Sequence, residues 1–390
     1  MSRVKVALLH CDRYELNTLH RALLHGFDLL GGLSRFVKKD ERVLLKPNIL
    51  AGCSPEQAVT THPAVFEAVI QILQEAGARV SYGDSSGITK PLPAARDSGL
   101  AAVAERYGVE MGDFEHGQQV LLPKGSRSGE RHRRVPIARA VLEHDALFNL
   151  PKMKTHQLTR ITGAVKNLFG CVPGLGKPAL HVSCPEAAGF SRLIAQLHLL
   201  VRPRVHILDG ILAMQGNGPR NGEARSTNLI VMSEDPVAAD ALFARLIALN
   251  PTFVPTCLAG YEAGIGTYRT EEIEIVGEDI GDLLQPEFKV VRTEVGENAL
   301  LKYYPTIKNL ILPRPVIEEQ RCERCGICIK ACPLPEKALG FNGGGAGAPP
   351  VYDYDRCIRC YCCQEMCPHN AIERKTPFLG KVLLGIGGKR

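Results

Sequence analysis

Nine of the 14 cysteines in this 390-residue chain lie between positions 322 and 367, and eight of them fall into two runs of one spacing. Cys322, Cys325, Cys328 and Cys332 precede Pro333; Cys357, Cys360, Cys363 and Cys367 precede Pro368, so C-x2-C-x2-C-x3-C-P occurs twice. Thiolates at that density point to metal ligation in a reducing compartment. A zinc site wants four ligands in two pairs and gives no reason for three evenly spaced cysteines, a fourth and a proline. The other five, Cys11, Cys53, Cys171, Cys184 and Cys257, are scattered and read as buried free thiols.

The doubled run resembles the bacterial two-cluster ferredoxins, in which each run gives three ligands to one cluster and its fourth to the other. The resemblance assigns Cys322, Cys325, Cys328 and Cys367 to one [4Fe-4S] cluster and Cys332, Cys357, Cys360 and Cys363 to a second. "VYDYDRC" before the second run and "PHNAIE" after it are also similar to ferredoxin sequence. The insertion "GFNGGGAGAPP" is a departure, expected to be a flexible surface loop that leaves ligation unchanged. Cys362 stands where ferredoxins usually carry glycine and is expected to be a free thiol near a cluster. Two clusters would form a relay that exchanges electrons with a donor or acceptor protein.

A second group of residues can handle charge. In "LPKMKTH" an extended backbone puts Lys152, Lys154 and His156 on one face, about 6.6 Å apart. Two ammoniums at about that separation repel by about 3 kcal/mol at an effective dielectric near 20, so the face needs an anion. Asp84 or Asp209 would be a structural answer; a bound carboxylate or phosphate would be a functional one. "TGAVKNLFG" is expected to start a helix with Thr162 near its N-cap, placing Gly163, Lys166 and Asn167 on one face.

These residues need elements to position them. "VKVALLHC", "RVLLKPN", "RVSYGD", "ALFNLPK", "RVHILDG", "NLIVMSED" and "EIEIVGED" read as strands, several with the continuous apolar character of buried parallel strands. "HPAVFEAVIQILQEAG", "PEAAGFSRLIAQLHLLVRP" and "DPVAADALFARLIALNP" read as helices. The alternation predicts an α/β fold, a mostly parallel sheet with helices on both faces. Lys46 and Asn48, Asp84, the Lys152–His156 run and Asp209 fall at strand ends, where open α/β sheets place their ligand crevice. Composition changes near "LPRPVIEEQRC", which divides the chain into residues 1–312, a small α+β ferredoxin-like domain at 313–380, and a tail at 381–390.

With 45% hydrophobic residues the chain can build a globular core, and a net charge of +6 is too mild to imply nucleic acid. The dense basic segment "KGSRSGERHRR" reads as a solvated loop. No apolar run reaches the length of a membrane span, and the first residues read as a strand and not a signal peptide, so a cytoplasmic location is expected. "GCVPGLGK" misses the Walker spacing, with Pro178 where Ser or Thr is needed, and "GNGPRNG" is not a dinucleotide fingerprint. There is no convincing nucleotide or flavin motif. Asn217 and Gly218, after a strand end, could line the crevice with backbone N–H groups.

"KPN", "GDSSG", "LPKMKTH", "TGAVKNLFG", "DGILAMQGNGP", "SEDPVAAD" and "CIRCYCCQEMCP" together resemble the domain of unknown function 362 family, in the version with a C-terminal ferredoxin module. The resemblance implies an iron-sulfur protein of anaerobic metabolism with no defined substrate, and makes Cys362 a family feature. The expected function is an oxidoreductase passing electrons from two [4Fe-4S] clusters to a small anionic substrate. Lys152, Lys154, His156, Asp84 and Asp209 would be catalytic, and Lys46, Asn48, Lys166, Asn167, Asn217 and Gly218 would bind substrate. The rival is an electron-transfer adaptor whose lysines dock a partner enzyme. A sensor using His156 and aspartates as ligands is a third reading, without strong metal spacing behind it.

Overall fold

The computed structural model describes residues 3–86, 90–123, 134–174, 176–295, 305–342 and 347–383. The basic segment at 124–133, the centre of the glycine insertion at 343–346 and the tail from 384 lie outside the described residues. The chain divides into two compact units, Met1–Lys177 with Ser191–Glu294, and Pro178–Phe190 with Val295–Arg390.

The first unit contains β1 (Val4–His10), β2 (Arg42–Pro47), β3 (Arg79–Tyr82), β4 (Glu110–Met111), β5 (Gly117–Leu121), β6 (Arg134–Ala138), β7 (Ala146–Leu150), β8 (Lys152–His156), β9 (Arg160–Thr162), β10 (Val205–Gln215), β11 (Glu223–Ser233) and β12 (Ile273–Gly277). The main sheet runs β12-β1-β11-β10-β7-β2-β3-β4, with β8 paired to β10 and β9, while β5 and β6 form a separate hairpin. From β10 through β7, β2 and β3 to β4 the neighbours are parallel. β11 is antiparallel to both β10 and β1, so the sheet is mixed though mostly parallel. Its "NLIVMS" segment is as apolar as the parallel strands because burial from both faces, not direction, writes that pattern.

All seven segments read as strands from the sequence are strands. The helix Pro63–Glu75 starts at His62, whose Nδ1 accepts the Ala64 N–H, and has Pro63 in its first turn. It buries Val65, Phe66, Val69, Ile70 and Leu73, contacts worth about 1.5–3 kcal/mol per large side chain. Asp235 caps the helix Pro236–Leu246 through the Val237 and Ala238 amides. Pro151 interrupts the chain between β7 and β8, which both run beside β10: Val205 is opposite Phe148, and Asp209 is opposite Lys152.

The second unit pairs β13 (Arg314–Ile317) with β16 (Ile372–Lys375), and β14 (Leu339–Gly340) with β15 (Val351–Tyr352), all antiparallel. Short helices, Ile327–Ala331 and Cys362–Met366, carry the third cysteine of each run, Cys328 and Cys363, and pack on each other. The helix Pro305–Ile311 belongs to this unit, so the division falls ahead of the composition change near residue 312.

Candidate functional site

The strand ends of the first unit do come together, as a buried polar network. At the end of β2, Lys46 is wholly buried; its Nζ lies 2.8 Å from Asp84 Oδ1 and donates to Pro47 O. Asp84 Oδ2 accepts the Ile49 N–H at 2.6 Å. Asn48 donates to Asn167 Oδ1 and accepts from Lys154 Nζ at 2.7 Å, while Asn167 donates to Lys46 O and Asn149 Oδ1. Lys154 also donates to Val59 O at 2.5 Å.

Lys152 and Asp209 form a second centre. The ammonium meets Asp209 Oδ2 at 2.8 Å and Tyr14 OH at 3.0 Å, and the other carboxylate oxygen accepts from Tyr14 OH at 2.9 Å. The His62 amide also donates to Oδ2, and the Leu212 amide to Tyr14 OH. Tyr14 stacks on the His62 ring at 3.5 Å. Burial draws Lys152 below the usual lysine range against the pull of Asp209, and draws His62 down to about 4. Lys152, Asp209, Tyr14 and the His62 and Leu212 amides thus form one connected network.

Four sequence expectations change in detail. Lys152 and Lys154 share a strand but serve different partners, Lys152 the Asp209 carboxylate and Lys154 the Asn48 side chain and Val59 O. His156 accepts the Leu158 and Thr159 amides at Nδ1 and shapes a turn. Thr162 ends β9; the helix Ala164–Asn167 is four residues long, with Gly163 at its N-cap and the buried Asp240 accepting the Ala164 and Val165 amides from 75 residues away or more. A Cβ on Gly163 would overlap that carboxylate. The Gly218 N–H turns to Thr155 Oγ1, and Asn217 accepts from Gln157, so these two sit against β8.

Sequence reasoning missed Lys177, set aside with the failed Walker pattern. It is buried, and its Nζ donates to Ser86 O at 3.3 Å and to Ser85 O, in the segment after β3 that holds Asp84. Burial pushes its pKa down to about 8; Asp84 acts in the opposite direction, and Lys46 and Lys166 reinforce the fall. Asp84, paired with Lys46, and half-buried Lys166 all act electrostatically on Lys177. Gly170 makes the pairing possible: a Cβ there would overlap Asp84 Oδ1 and stand 2.7 Å from Lys46 Nζ. Tyr14, His62 and Asp240 were also missed; each acts on residues far away in sequence.

In the second unit the eight run cysteines line two cavities. Cys322, Cys325, Cys328 and Cys367 line one, with Ile317, Gly326 and Pro368. Cys332, Cys357, Cys360 and Cys363 line the other, with Leu339, Tyr352 and Tyr361. Each cavity thus takes three cysteines from one run and one from the other. Among the described residues no three His, Cys, Asp or Glu side chains close on a single ion. Tyr352 OH donates to Cys363 Sγ at 3.2 Å, and the Ala371 amide to Cys367 Sγ at 3.3 Å, bonds that favour thiolate sulfur. Cys362 lines neither cavity and hydrogen-bonds to Cys360, holding that thiol below its ordinary range. The five scattered cysteines are buried.

Residues 43–245 match the domain of unknown function DUF362. The chain belongs to that family. In this DUF362 protein residues 314–370 match a 4Fe-4S dicluster domain, which makes the chain an iron-sulfur protein. A thylakoid-associated protein of Synechocystis sp. is 33% identical over 267 residues, spanning 68% of this chain and 81% of that one. Two solved structures are more distant. The lactate racemase apoprotein from Thermoanaerobacterium thermosaccharolyticum has 12% identity and a TM-score of 0.38, over 62% of this chain and 57% of that one. A protein from Thermotoga maritima has 14% identity and a TM-score of 0.38, over 65% and 60%.

Proposed function

We propose that this DUF362 protein is an oxidoreductase that carries electrons on two [4Fe-4S] clusters toward a small anionic substrate of the first unit. The observation that supports it is the sorting of eight cysteines into two quartets around two cavities. Cys322, Cys325, Cys328 and Cys367 would hold one cluster, and Cys332, Cys357, Cys360 and Cys363 the other. Such clusters, when bound, supply one-electron transfer at potentials set partly by hydrogen bonds to sulfur. Lys46, Lys166 and Lys177 hold the anion, Asp84 orients Lys46, and Asn48 and Asn167 fix the surrounding backbone. Lys152, Lys154, His156 and Asp209 position the strand ends.

The adaptor reading, with Lys46, Lys152 and Lys154 on a partner's acidic surface, is disfavoured by their exposure of 0%, 0% and 1%. The test is anaerobic reconstitution and reduction, followed by a panel of small carboxylates and phosphate esters, with cluster reoxidation read by visible absorption. Reoxidation by one class, lost in Lys177→Ala at unchanged iron content, supports the reading. If no anion reoxidises the reduced protein, the substrate assignment falls.

A further inference from the structure

We propose that the outer face of two paired helices in the second unit, Pro305–Ile311 and Phe378–Leu383, docks on an anionic lipid surface. The helices meet backbone to backbone at Gly380, where a Cβ would overlap Ile311 O, so their mutual arrangement is fixed. That contact uses one side of the second helix and leaves Phe378 82% exposed and Val382 62%, at i and i+4 of one face, with Leu379 beside them 44% exposed. Ile307 and Leu310 on the first helix are 44% and 50% exposed. Five large apolar side chains presented outward by two touching helices form a patch of a kind that marks an interaction site.

The charge around the patch selects the occupant. Between Arg374 and Arg390 the sequence holds five basic residues and no Asp or Glu. Lys375 pairs with Glu318, while Lys381 is exposed on the helix that carries Phe378 and Val382. Apolar side chains inserted at the acyl boundary, with lysines and arginines at the level of anionic headgroups, are the mark of a helix that lies on a bilayer. Lying on the surface is the geometry that fits, since no helix among the described residues is long and apolar enough to cross a membrane. The docked face is also tied to one cysteine quartet. Lys308 donates to Cys357 O at 3.0 Å, and Arg359 donates to Lys308 O and Asn309 Oδ1. Docking therefore brings the quartet containing Cys357 to the lipid side of its own unit.

The test is flotation of the full, cluster-reconstituted chain with vesicles of phosphatidylcholine alone and of phosphatidylcholine with phosphatidylglycerol. Binding is expected to be about tenfold stronger to the anionic vesicles and to weaken with salt. The double substitution Phe378→Glu with Val382→Glu should abolish it at unchanged iron content and circular dichroism. Leu121→Glu, at an exposed leucine of the first unit, should leave it intact. Failure of the wild-type chain to float with anionic vesicles overturns the proposal. So does flotation that survives the double substitution, or a face that instead drives self-association or holds a protein partner.

Discussion

The Lys152 ammonium lies 2.8 Å from Asp209 Oδ2, with both side chains completely excluded from solvent. Tyr14 and the His62 amide complete the hydrogen bonding of the carboxylate. Removing one partner leaves the other charge buried and unmatched. Lys152→Ala should therefore destabilise the first unit by about 3–5 kcal/mol, read as a lower denaturant midpoint. Lys152→Met combined with Asp209→Asn should recover part of the loss. A double variant less stable than Lys152→Ala would contradict the pairing.

Gly170→Ala forces a methyl group into the space between Asp84 and Lys46. Overpacking at a rigid site costs about 1–3 kcal/mol, and here it also parts an ion pair. Gly174→Ala is the matched control, because a Cβ there meets nothing within 4 Å. Thermal unfolding of both variants should show a loss for residue 170 alone.

Cys367→Ala removes one wall sulfur from the cavity of Cys322, Cys325 and Cys328. Iron per chain should drop from about eight atoms toward about four, with one electron paramagnetic resonance signal of the reduced protein retained. Cys362→Ser should keep the full iron content, as its side chain lines neither cavity. Equal iron loss in the two variants would reverse the assignment.

Asp240 gives the first unit a pH dependence. Burial pushes its carboxyl up to about 7 from an ordinary 3.8, even though it accepts two amide hydrogen bonds. Between those values the folded chain keeps a proton that the unfolded chain has released. Stability contributed by this group is therefore present at the acid end and lost as pH rises through about 7. Asp235, raised to about 6, acts in the same direction. Unfolding in denaturant at about pH 5 and about pH 8 should show Asp240→Asn with a flatter decline than the wild type.

The parts legible in the sequence were those written in local periodicity or spacing. Seven strands followed from apolar runs, and the grouping of Cys332 with the second run and Cys367 with the first was what the resemblance of the doubled run to two-cluster ferredoxins implied. Lys46, Asp84, Lys152 and Asp209 stood out because a charge at the end of an apolar run is unusual, but their pairing was not encoded locally. Tyr14 reaches Asp209 across 195 residues, and Asp240 caps a helix that precedes it by some 75. Such contacts are fixed by sheet order, and the reversed β11 that sets part of that order carries the same apolar pattern as its parallel neighbours.

The exchange of Cys332 and Cys367 between the two cavities has a consequence for how the second unit matures. Each cavity is closed only when both halves of the unit have been synthesised and brought together. A nascent chain that has emerged only as far as Tyr352 can complete neither quartet. Assembly is then interlocked: loss of a whole run reaches both centres, and the metal content of the unit becomes a report on whether its whole fold has closed.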